Sequence, residues 1–165
     1  MKVYLIIISI VILPLVLVSQ GPPRISDLPA FEVIYGDFNI PEYASEGEVV
    51  SLHPKDRKIV VRSHNPYDPL VEGVIVRDSL GELRVAVAGE VDVLVDPSVR
   101  AVRAGDWLVA SGATGMAMPI QDDFPFDAIV LGAALTGFSA DSDSVDTVRV
   151  LLTPGERIGP GKGPK

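Results

Sequence analysis

Val85-Ala-Val-Ala-Gly-Glu-Val-Asp-Val-Leu-Val-Asp96 is the stretch whose reading decides the fold. From Gly89 onward it alternates strictly: Glu90 faces out, Val91 in, Asp92 out, Val93 in, Leu94 out, Val95 in and Asp96 out. Successive side chains of a strand leave on opposite faces, so this pattern buries one valine face and wets the other. The run from Leu83 to Asp96 is long for one strand, and Gly89 sits near its middle. A glycine there predicts a bulge or a sharp bend, the device by which small barrels turn corners. Pro97 ends the run.

Working outward, the neighbouring segments read the same way. Glu48–Leu52 and Lys58–Arg62 are strands joined by the polar turn His53-Pro-Lys-Asp-Arg57, a hairpin with a loop of a few residues. Ser63–Pro69 is a rigid irregular segment with two prolines. Val71–Arg77 is a strand closed by the turn Asp78–Gly81. Val99–Ala104 and Trp107–Ala110 are predicted to form a tight hairpin around Gly105-Asp106. Met116-Ala-Met118 alternates like one strand face, and methionines there are gap fillers in a core or subunit interface. Ala128–Ala134 and Val145–Leu152 supply the last strands. No segment carries helical periodicity with caps at both ends. The expected fold is all-β, a small barrel-like or β-clip-like module of short bent strands over residues 46–153, with a Pro-rich N-terminal arm at 20–45 in which Phe31–Tyr35 is a strand candidate and the rest a linker. Residues 154–165, rich in glycine and proline, read as a flexible tail.

Composition excludes several classes of function. The chain has 165 residues, 47% of them apolar, enough for one domain with short appendages. Its formal charge is −8, which repels phosphate backbones and argues against nucleic acid as a partner. Arg100 and Arg103 lie close together, but Asp96 and Asp106 flank them, as for solvated strand-end charges. There is no cysteine, so disulfides, thiolate nucleophiles and zinc–thiolate centres are excluded.

Residues 1–19 begin with one lysine and continue as an apolar run over residues 3–18, broken by Gly21, Pro22 and Pro23. This is the pattern of a secretory signal peptide. The run is short of the ~20 apolar residues a membrane span needs, and Pro14 interrupts it. Ser19 suits a cleavage site, whereas the bulky Leu17 does not. A cleaved leader and a retained membrane anchor are both consistent with these residues, and both place the module outside the cytoplasm, secreted or extracytoplasmic.

Five blocks occur in one order: Gly47–Leu52, Val61–Ile75, Val85–Val91, Ala104–Met118 and Ile129–Leu135, closing with Val148–Leu152. That order resembles a β-rich C-terminal module of phage tail-fibre and spike proteins and related bacterial surface proteins, and more distantly the self-cleaving tail-appendage peptidases. The resemblance covers about two thirds of the chain. It implies a compact all-β domain at the end of a fibre, assembled as a homo-oligomer, with a trimer as the first expectation. The fibre itself is replaced here by a short leader and the Pro-rich arm, which favours a stand-alone exported protein. Uncovered strand edges need a partner, and subunit association supplies one.

Candidate chemistry is sparse. His53 and His64 are the only histidines, each in a polar loop. Ser63 neighbours His64, but adjacent residues of extended chain point apart. Ser111 does not match the Gly-x-Ser-x-Gly nucleophile elbow. Asp78-Ser79 and Asp143-Ser144 are acid–hydroxyl pairs of the kind self-cleavage requires, and they equally suit ordinary turns. Asp141, Asp143 and Asp146 place three carboxylates in one loop, the weak candidate for a metal such as calcium, although the glycine and glutamate of an EF-hand are missing. Asp122-Asp123 is weaker still. Trp107, the single tryptophan, is the weak candidate for stacking on a glycan and equally a core residue. No cofactor is expected. The function these residues predict is a non-enzymatic structural or surface-interaction module of fibre-tip type, with glycan or another envelope component as the expected contact. A self-cleaving peptidase-like domain and a membrane-tethered assembly protein are the alternatives.

Overall fold

The structure is a computed structural model that describes residues 31–122, 128–137 and 147–158. Among these residues there are eleven short strands and no helix. They are β1 (Ile34–Gly36), β2 (Val49–His53), β3 (Asp56–Arg62), β4 (Val71–Arg77), β5 (Leu83–Leu94), β6 (Trp107–Ala110), β7 (Ala117–Pro119), β8 (Ala128–Ile129), β9 (Gly132–Ala134), β10 (Thr147–Leu152) and β11 (Arg157–Ile158). The fold is all-β and barrel-like, as expected.

All strand pairs are antiparallel. The main sheet runs β3-β2-β4-β5-β10-β9-β6-β7, with β1 added to β5 and a separate β8–β11 pair. The sheet curls into two rings that share β5. The first ring passes from β4 to the leading half of β5 and on to β1. It then steps through Asn39 onto β3, where the Asn39 N–H donates to the Lys58 carbonyl at 2.7 Å and an Asn39–Ile59 bridge forms. It returns to β4 through β2. The second ring runs β5-β10-β9-β6-β7 and closes at a Val95–Ala117 bridge, with Asp96 N–H donating to the Ala117 carbonyl at 2.9 Å.

Each ring has its own apolar filling. Val50, Val60, Ile75 and Val85 fill the first. The second holds Val91, Val93, Val95, Leu108, Leu131, Val148 and Val150, and this cluster extends to Val49, Val74 and Ala86. β5 therefore changes sides along its length. Ala86 and Val91 both belong to the larger cluster, yet they are five positions apart, an odd spacing that a regular strand cannot put on one face. The swap happens around Gly89, which has φ 103°. A Cβ on Gly89 would also sit 2.5 Å from the Glu32 carbonyl oxygen, because the segment entering β1 crosses the strand there. Only glycine meets both demands. The valine face read from the sequence after Gly89 is present as read, with Val91, Val93 and Val95 buried and Asp92 exposed.

Several boundaries differ from the sequence reading. The arm does not stop at residue 45 as a linker: β1 and Asn39 close the first ring, so the module includes the chain from residue 31. Among the described residues, Asn39 lies along β3 and β1 along β5. Val99–Ala104 is not a strand. The Asp96 carboxylate accepts from Ser98 N–H, and the Asp106 carboxylate accepts from Arg103 N–H, so local turns capture the backbone that a hairpin would need. Ala128–Ala134 divides into β8 and β9, because Val130 N–H pairs with the Glu156 carbonyl and Leu131 N–H with that of Leu108. Part of the supposed flexible tail is a strand, Arg157–Ile158, paired with β8. The leader at 1–19, the start of the arm and residues 159–165 lie outside the described residues.

Replacing Gly89 with alanine combines left-handed backbone strain of about 1–2 kcal/mol with an overpacking cost of similar size. Gly81, at φ 83° with nothing near its would-be Cβ, isolates the strain alone. Thermal unfolding of Gly89→Ala is expected to fall by about 10 °C or more, and that of Gly81→Ala by about half as much or less. Equal shifts would contradict the close crossing.

Candidate functional site

Three places stand out, of different chemistry; the first two carry side chains that sequence reading singled out. The first is the junction of the two rings. Here the segment Ser63–Leu70 packs on the loop Ser111–Met116. Tyr67 N–H donates to the Ala110 carbonyl at 3.0 Å, and Gly115 N–H donates to the Ser63 carbonyl at 2.7 Å. Tyr67 is held at φ 56°, between two prolines-bearing turns, and its hydroxyl accepts from Gln121 N–H at 3.3 Å.

Two hydroxyl–carboxylate pairs, one buried and one partly buried, fasten this junction. Ser63 Oγ donates to Asp68 Oδ2 at 3.3 Å, while Asp68 Oδ1 accepts from Leu70 N–H at 2.9 Å. Ser111 Oγ donates to Asp96 Oδ2 in a short bond and accepts from Ala113 N–H at 3.0 Å. Both serines are fully buried. Burial alone would push the Asp96 carboxyl up, but bonds from the Ser111 and Ser98 hydroxyls and from Ser98 N–H together hold it below the usual carboxylate range. Beside them, Glu48 is buried, accepts from Ser45 N–H at 2.8 Å and pairs with Arg62 at 3.3 Å, whose guanidinium lies 4.8 Å from the centre of the Tyr43 ring. These groups tie loops together. Among the described residues neither histidine hydrogen-bonds to a serine or a carboxylate; His53 Nδ1 accepts from Lys55 N–H at 3.3 Å in its own turn. His64 is exposed. Asp78 likewise serves its turn, accepting from Leu80 and Glu82 N–H groups.

The second place is an open groove of about 340 Å³ lined by Arg100, Ala101, Arg103, Asp106 and Asp122. Arg100 is already engaged, pairing with Asp106 at 2.8 Å and donating to the Ile120 carbonyl at 3.2 Å. Trp107, the glycan candidate, follows Asp106 but does not line this groove. It is half-buried against the cluster of Val109, Met118, Ile120, Ala128 and Val130. Met118 is buried in that cluster, and Met116 is half-buried just before β7.

The third place is the strand that opens the first ring. Phe31, Ile34 and Tyr35 are 59%, 58% and 40% exposed, although they are large and apolar. Ile34 pairs with Ala88 and Tyr35 with Ala86, and the irregularity between them skips Val87. Both side chains therefore stand opposite same-face residues of β5.

No protein-family model, curated protein or solved structure matches the chain.

Other sequence candidates fall elsewhere. Asp141, Asp143 and Asp146, with the Asp143-Ser144 pair and Asp123, lie outside the described residues. Among the described residues no three of His, Asp or Glu converge to hold a metal ion. Among them, too, no helix is long and apolar enough to cross a membrane. Sequence reading missed the partners of Ser63 and Ser111, since Asp96 lies fifteen positions from Ser111 and no local pattern links them. The strand read at Phe31–Tyr35 lies close to β1 at Ile34–Gly36, but the exposure of its large side chains was not read. The signal available was three large apolar residues among polar ones next to prolines.

A folded value below the ordinary one means that ionised Asp96 stabilises the fold above the unfolded-state value near 3.9. That contribution is lost as pH falls through the lower folded value. Asp96→Asn is expected to lower stability at pH 7 by about 1 kcal/mol, allowing for the partly solvated site. The gap to the unmodified chain should shrink below about pH 4, which melting curves across pH would read. A pH-independent gap would contradict the ionised pair.

Proposed function

We propose that the chain is an exported, non-catalytic structural module whose doubly closed β scaffold presents the apolar row Phe31, Ile34 and Tyr35 to a partner surface. The observation that carries this reading is the row itself. Ile34 and Tyr35 share one face of β1 and Phe31 lies three residues before them; large apolar side chains left in water this close together in the chain signal a contact surface more than scattered ones do. The scaffold suits such a role, since each ring is held by backbone bonds and a valine core, and the junction hydroxyls and carboxylates bind loops to one another. The likeness to fibre-tip modules points the same way and brings in an extracytoplasmic setting. The groove at Arg100 and Asp122 is a secondary polar surface, of a kind that suits hydroxyl-rich ligands such as glycans.

If the row exists for contact, replacing Phe31, Ile34 and Tyr35 with serine leaves folding intact, because exposed substitutions stay within about 0.5 kcal/mol each. The triple variant should melt within a few degrees of the unmodified chain and lose binding of the dye ANS. A large fall in melting temperature would overturn the contact role, since the residues would then be packing for the fold. Long incubation of the purified chain should leave one full-length band on a gel. Two fragments that sum to its mass would instead establish self-cleavage.

A further inference from the structure

The apolar row has a fixed address relative to the rest of the chain. Phe31 follows directly on the Pro-rich stretch, and residues 3–18 before that contain no charged side chain. Residues 19–30 are twelve in number and reach at most about 40 Å when extended. Sixteen residues are fewer than the ~20 of a full span, so this inference rests on the retained-anchor reading of the leader. With residues 3–18 in a bilayer, the entrance to the first ring is therefore held within a short leash of the lipid surface, and the row is the part of the described module nearest the leash.

The size of the row decides between lipid and a second copy of the chain. Three large side chains exposed by 40–59% offer roughly 300 Å² in all. A stable protein interface buries about 800 Å² on each partner. A membrane surface asks for less, because the tether already supplies proximity and a few side chains need only enter the interfacial layer. Phenylalanine and tyrosine suit that layer, where an apolar ring meets water.

We propose that Phe31, Ile34 and Tyr35 dock the module on the outer face of the lipid bilayer in which residues 3–18 are retained. The module then sits on the membrane, with β1 against the headgroups and the Arg100–Asp122 groove carried by the second ring. The inference rests on the contact role of the row and adds its occupant. The net charge of −8 sets the lipid preference, so docking is stronger on zwitterionic than on anionic surfaces at low salt.

The absence of cysteine permits a clean test on the full-length chain. Ile34→Cys and, as a control in the exposed turn before β6, Ala104→Cys are each labelled with NBD and reconstituted in phosphatidylcholine vesicles. The Ile34 label is expected to shift to shorter wavelength and resist an aqueous quencher, while the Ala104 label stays quenchable. Shielding should persist at one chain per vesicle, fall when Phe31 and Tyr35 are replaced with serine, and weaken in phosphatidylglycerol vesicles. An Ile34 label as quenchable as the Ala104 label overturns the proposal. So does shielding that disappears on dilution, which would make a second copy the occupant, and so does a membrane-fraction protein whose mass shows the first nineteen residues removed. Failure here with the serine variant still melting normally rejects lipid alone; early melting of that variant rejects the contact surface itself.

Discussion

Everything in the described fold depends on one backbone event, the change of face in β5 at Gly89. A strand with strict alternation can fill one barrel. By admitting an odd step at a residue with φ 103°, β5 sends Val85 into one core and Val91, Val93 and Val95 into another. The two rings thus have no linker between them. They share a strand, and Gly47 reinforces the joint, giving its N–H to the Ile75 carbonyl at 2.8 Å and accepting from Leu94 N–H at 2.9 Å. Gly89 also lets the entering segment cross β5 closely enough to place β1, and with it the exposed row, on the edge of the first ring.

The polar groups follow from that geometry. Two rings that share one strand leave loops at the joint whose N–H and C=O groups lack ladder partners, and buried groups of this kind must be satisfied. Ser63, Asp68, Asp96 and Ser111 do so, mixing side-chain and backbone bonds. A hydroxyl beside a carboxylate resembles a catalytic fragment on paper. Here both serines are fully buried and their lone pairs and protons face the loops they hold. Charge at the surface is arranged differently, as in the Arg149–Asp92 pair at 2.8 Å across β10 and β5, which is exposed and of small energetic weight.

Much of the fold was legible because it rests on period-two patterning. Val91, Val93 and Val95 announce their face, Gly89 announces the bend, and Val71–Arg77 begins and ends where its turn residues say. What escaped reading was non-local or competed with a local alternative. Val99–Ala104 has strand composition, yet the carboxylates of Asp96 and Asp106 win its backbone for turns. Asn39 closes a ring through a single bridge to Ile59, twenty residues away, which no propensity encodes. Of the candidate site, Trp107 was legible as an apolar packing residue, whereas the exposure of Ile34 and Tyr35 depends on which residues of β5 they face, and only the fold determines that.

Shared use of β5 makes the two rings one cooperative unit. Native-state hydrogen exchange of its amides tests this most directly, comparing residues before Gly89, such as Val85, with residues after it, such as Val93. Both sets should exchange through the same opening, with equal free energies and equal denaturant dependence. If the amides before Gly89 opened at markedly lower free energy than those after it, the rings would be independent units and the central role of the strand would be contradicted.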